Sequence, residues 1–140
     1  MTSGDRADGG STAGGTLSTI SNEMVRLYKE MFGRGPTRAR TDWVGQDALI
    51  TILEDTLSPA ERNLVRMGEH ERLRESRMFF QYATVLEFCA PVEACTGRKV
   101  RAFLSGIDTF GEDVSAELFL LHPVGYDGPS RTEVGEGSRG

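Results

Sequence analysis

Three arginines, Arg34, Arg38 and Arg40, fall within the run Gly33-Arg34-Gly35-Pro36-Thr37-Arg38-Ala39-Arg40. A guanidinium fork matches a phosphate or a carboxylate, and turn N–H groups can add donors. The chemistry open to this stretch is recognition of an anionic ligand or of an acidic partner. It is not a P-loop: no Gly-Lys-Ser/Thr follows, and a strand pattern comes next instead of a helix. The plainer reading of the same residues is a helix stop followed by a solvated strand edge.

The other reactive side chains are scattered. His70 stands among Glu69 and Glu71, and His122 ends a strand pattern, so both read as surface histidines. No spacing of His, Cys or Asp matches a zinc motif. Cys89 and Cys95 lie on different faces of a helical stretch, which argues against a disulfide between them. Cys89 is expected in the core and Cys95 near a helix end. Glu54-Asp55, and Asp108 with Glu112-Asp113, stand at strand ends. Carboxylates there could do acid–base work or hold a cation, or simply solvate turns. The Asp108 loop lacks EF-hand spacing. No nucleophile–base pair is visible. The expectation is a non-enzymatic protein with no catalytic residue, no metal and no cofactor.

Composition narrows the partners. The chain has 140 residues and a net charge of −5, which argues against broad nucleic-acid binding. Its glycines gather at the two ends. Residues 1–16 and 124–140 therefore read as disordered tails around one domain at 17–123. No apolar run is long enough to span a bilayer, and without a signal peptide the expected place is the cytoplasm.

The elements that must position these residues follow from periodicity. Ile20, Met24, Leu27, Tyr28 and Met31 recur at helical spacing. With Ser18 or Ser21 as cap and Gly33 or Gly35 as stop, they predict a helix over about 18–32. Thr37–Val44 and Ala48–Glu54 read as a hairpin. Ser58-Pro59-Ala60-Glu61 is a capping box with Pro at the first helical position. A long helix should start there, pause near Gly68, kink at Pro91 and end at Gly97. Lys99–Ser105 and Val114–Leu121 read as a second hairpin. The fold class is α+β, in the order α-β-β-α-β-β, with a four-stranded antiparallel sheet and helices on one face. The second strand of each hairpin is apolar on both faces. Leu49, Leu53, Phe119 and Leu121 are the expected surface through which a second copy covers the sheet, giving a homodimer.

Several segments together resemble one family. They are Ser21-Asn22-Glu23, Gly33-Arg34-Gly35-Pro36-Thr37, Leu53-Glu54-Asp55, Leu57-Ser58-Pro59-Ala60-Glu61, Thr96-Gly97-Arg98-Lys99-Val100, Phe103-Leu104-Ser105, and Asp113 with Glu117 and Phe119. Their order and spacing are similar to the MpsC-like proteins, bacterial proteins formerly filed as a domain of unknown function. The resemblance covers about residues 17–122. It implies association with a Na+-translocating, membrane-potential-generating system and carries over no catalytic residue. The expected role is an accessory or interaction protein, peripheral to the inner face of the membrane, with membrane-associated transport proteins as partners. The alternative is a regulator that binds a nucleotide-like anion at Arg34, Arg38 and Arg40.

Overall fold

Alternating side chains build the strands, and the computed structural model, which describes residues 9–133, joins them into one four-stranded antiparallel sheet. The elements are α1 (Gly9–Phe32), β1 (Arg38–Trp43), β2 (Ala48–Glu54), α2 (Pro59–Arg66), α3 (His70–Ala83), α4 (Val85–Thr96), β3 (Val100–Ile107) and β4 (Val114–Leu121). Strand order is β1-β2-β4-β3, so the second strands of the two hairpins pair at the centre. Thr51 of β2 lies opposite Thr41 on one side and Glu117 on the other, and Glu117 lies opposite Ser105. The α+β class and the helix layer on one face are as the sequence predicts.

Strand parity decides what is covered. Leu49, Leu53, Phe119 and Leu121 are buried against the helices. Ile20, Met24, Leu27 and Tyr28 meet them from α1, and Phe88, Cys89 and Val92 from α4. The Phe103 ring packs between Phe88 and Phe119, with centroids 5.6 and 5.2 Å away. The opposite parity, Ile50, Ile52, Leu118 and Leu120 with Leu104, points away from the helices. This corrects the expected interface: Leu49, Leu53, Phe119 and Leu121 belong to the core and cannot meet a second copy. Both parities are apolar, so alternation separates the two sets without saying which is covered. The covered set also contains Glu117, a residue type that ordinarily marks a solvated face.

The helix layer departs from the sequence reading at Thr84 and toward the two ends of the chain. Ser58 caps α2 as predicted, with its hydroxyl accepting from Glu61 N–H and the Glu61 carboxylate accepting from Ser58 N–H. The expected pause falls at Gly68, which has φ +77°, and a second, unexpected break falls at Thr84. The Thr84 hydroxyl donates to the Phe80 carbonyl at 2.8 Å, and the Thr84 backbone leaves the helical region at φ −117° and ψ 34°. Pro91 lies within α4, which continues to a left-handed Gly97. α1 begins at Gly9, inside the span expected to be a tail, and Ser18 and Ser21 are interior residues and not caps. Extending a formed helix costs less than nucleating one, so poor helix formers are carried along. Past the sheet, Lys99 Nζ donates to the Gly128 carbonyl and Ser130 is buried, so this part of the expected C-terminal tail packs back. Residues 1–8 and 134–140 of the two expected tails lie outside the described residues.

Replacing Ser58 with Ala removes the acceptor for Glu61 N–H. The expected cost is about 1 kcal/mol, read by calorimetry as a melting temperature lower by about 3–6 °C. An unchanged melting temperature would show that the box contributes nothing.

Candidate functional site

The sheet's covered face carries a polar row across all four strands: Thr41, Thr51, Glu117 and Ser105 are each buried. Ser21 of α1 joins it, with its hydroxyl 2.7 Å from that of Thr41, which lies 2.8 Å from that of Thr51. Glu117 is fully buried at the centre. Tyr28 from α1 donates its hydroxyl hydrogen to Glu117 Oε2 at 2.5 Å. Gln81 from α3 donates Nε2–H to the same oxygen at 2.7 Å and to the Tyr28 hydroxyl at 2.9 Å. Burial pushes the Glu117 carboxyl up to about 7, even against the hydrogen bonds that favour its charged form. Burial, and then the neighbouring carboxylate, push the Tyr28 phenol well above its ordinary value.

One turn before Gln81, Arg77 is also fully buried. Its fork grips Glu61, with Nε 2.8 Å from Oε2 and Nη2 2.8 Å from Oε1. Nη2 also donates to the Thr56 carbonyl at 2.7 Å, and the guanidinium lies 3.7 Å from the centre of the Phe32 ring. Burial alone would raise the Glu61 pKa, but Arg77 and the Ser58 N–H outweigh it and hold it below the ordinary value. Glu61 therefore caps α2 with one set of contacts and anchors α3 with the other.

The strand-end carboxylates read as candidate acids or cation ligands serve the same framework. Asp55 and Asp113 both adopt positive φ, 63° and 55°, a conformation that non-glycine residues hold only when their surroundings enforce it. The enforcing contacts are visible. Asp55 N–H donates to the Asp113 carbonyl, and the Asp113 carboxylate accepts from Thr56 N–H at 2.8 Å and Leu57 N–H at 3.2 Å. Arg62 Nη2 reaches both side chains, at 2.5 Å to Asp55 and 3.0 Å to Asp113. Asp108 accepts from Glu112 N–H within its own loop, and His70 Nδ1 lies 2.6 Å from the Thr109 carbonyl.

The three candidate arginines do not converge. Arg34 turns inward and pairs with Asp55 at 2.7 Å. Arg38 and Arg40 stand on the open face of β1, 76% and 73% exposed, each 3.8 Å from a carboxylate of its own chain, Glu54 and Asp42. Arg34 is paired with the Asp55 turn while Arg38 and Arg40 face solvent, so the three do not form one prepared anion site. Sequence reasoning missed Tyr28, Arg77, Gln81 and Glu117. Tyr28 and Gln81 sit at helix positions that read as stripe or surface. The available signal was an isolated Glu amid the apolar run of β4.

Glu117 gives a pH test. Its folded pKa is raised above that of an unfolded glutamate, so its favourable contribution is complete below the unfolded value of about 4.3. That contribution is lost as pH rises through about 7. Urea midpoints between pH 5 and 8 should fall for the wild type and stay flatter for Glu117→Gln. Parallel profiles would contradict the assignment. Arg77→Met leaves the largely buried Glu61 carboxylate without its ion-pair partner and should cost about 3–5 kcal/mol. Adding Glu61→Met should restore part of it in the same urea assay.

Residues 12–122 match the family model described as the Na+-translocating membrane potential-generating system (MpsC). No curated protein and no solved structure matches the chain. Among the described residues no helix is long and apolar enough to cross a membrane. The family match spans every strand of the sheet, α1 from residue 12 onward, and α2, α3 and α4, and it bears out the resemblance read from the sequence: this chain belongs to the MpsC family.

Proposed function

We propose that the chain is a non-enzymatic accessory protein of a Na+-translocating, membrane-potential-generating system, placed on the cytoplasmic side and acting as a homodimer joined through its sheet. The observation that carries this reading is the open sheet face. Ile50, Leu118 and Leu104 form one aliphatic row across three strands, and Ile52 and Leu120 flank it. Leu104 is 53% exposed. Such a face gains free energy by leaving water. A second copy fits it by charge. β1 carries Arg38 and Arg40 toward its start and Asp42 toward its end. A two-fold axis across the strands reverses that direction and sets the basic end of one rim against the acidic end of the other. The family description supports the transport association, and the Arg77–Glu61 and Asp55–Asp113 groups act as framework, not as reagents.

Light scattering across micromolar concentrations should give twice the chain mass. Leu104→Glu places a charge in the aliphatic row without touching the core and should give a monomer with unchanged circular dichroism. A wild type that is monomeric throughout, or a Leu104→Glu variant that stays dimeric, would contradict the face-to-face reading.

A further inference from the structure

On the side away from the sheet, α1 and α4 leave a groove of about 530 Å³ between them. Leu27 lies beneath, and Ala90, Pro91 and Ala94 run along the α4 side. Ala90 and Ala94 are exposed and one turn apart, so along that row α4 presents only methyl groups to a third helix at close packing distance. Pro91 has no N–H, which leaves the Glu87 carbonyl without its usual helical donor.

The rim is acidic. Glu23 and Glu30 of α1 and Glu87 of α4 line it, with Arg26 as the only base among the lining residues. Arg26 bridges Glu23 at 2.7 Å and Glu30 at 2.9 Å, so one positive charge is shared by two negative ones. Glu87 is exposed and makes no ion pair among the described residues. An apolar floor with an acidic rim is complementary to an amphipathic helix with a basic polar face.

We propose that the α1–α4 groove binds a basic amphipathic helix of the kind that adjoins the cytoplasmic end of a membrane-spanning segment. Such segments are rich in Lys and Arg on the cytoplasmic side, and the chain as a whole carries −5. This rests on the accessory-protein reading and names the chemistry of the partner. It leaves the sheet free for the second copy, since the groove and the open face lie on opposite sides of the molecule.

The groove holds its own reporter. Cys95 lines it and is partly exposed, whereas Cys89 is buried. The probe is an 18-residue fluorescein-labelled model helix with leucines on one face and lysines elsewhere, compared with its glutamate counterpart. Anisotropy should show binding of the lysine peptide alone, and saturating peptide should slow alkylation of Cys95 by iodoacetamide. Ala94→Trp fills the groove and Glu87→Lys reverses its rim. Each should weaken binding by about tenfold or more, a loss of about 1.4 kcal/mol, with the dimer mass unchanged. No binding, unaltered Cys95 alkylation in the complex, or wild-type affinity in both variants would overturn the groove assignment while leaving the dimer intact. A monomer that still protects Cys95 would overturn the dimer alone.

Discussion

A carboxylate buried at the centre of the sheet sets the terms for everything packed on it. Glu117 has no route to water, so its lone pairs must be met by protein donors or its proton retained. Tyr28 and Gln81 supply the donors from two different helices. Meeting one oxygen from both sides fixes α1 and α3 in rotation and along their axes. Apolar contacts alone would leave that register loosely specified, because Ile, Leu and Met tolerate sliding. Arg77, one turn away, extends the constraint to α2 through Glu61 and to the loop through Thr56. The Asp55–Arg62–Asp113 group then ties the ends of the two hairpins together.

This concentration of polar partners on one side explains how the sheet comes to have two apolar faces with different fates. The covered face holds both the aromatic cluster and the ionic chain, and it is closed by helices that the ionic chain orients. The other face has aliphatic residues and a charged rim at β1, with no helix over it among the described residues. A protein arranged in this way has its chemistry turned inward and its contacts turned outward. That division fits the role in assembly proposed above, with the acidic groove between α1 and α4 as the proposed second contact.

Much of the fold was legible because local signals agreed. The Ser58 capping box, the Gly97 stop, the 48–54 strand and the two hairpins each rest on residues that act within a few positions of themselves. Long-range choices were not legible. The covered parity of the sheet depends on Tyr28 and Gln81 reaching Glu117, which are 89 and 36 residues distant in the chain. No period reveals that pairing. Arg34 looked equivalent to Arg38 and Arg40 in sequence, but the turn at Asp55 claims it. The break at Thr84 has no local signal of its own, because threonine is not a strong helix breaker; the backbone simply leaves the helical region there, at φ −117° and ψ 34°.

The account turns on one sheet face being closed by its own helices and the other by a second copy. Methyl NMR with a soluble gadolinium relaxation agent reads both faces at once. The Ile50, Ile52, Leu118 and Leu120 methyls should be protected in the wild type and strongly broadened in the Leu104→Glu monomer, while Leu49, Leu53 and Leu121 stay protected in both. Equal broadening of Ile50, Ile52, Leu118 and Leu120 in the two proteins, or broadening of Leu49 and Leu53 in either, would contradict it.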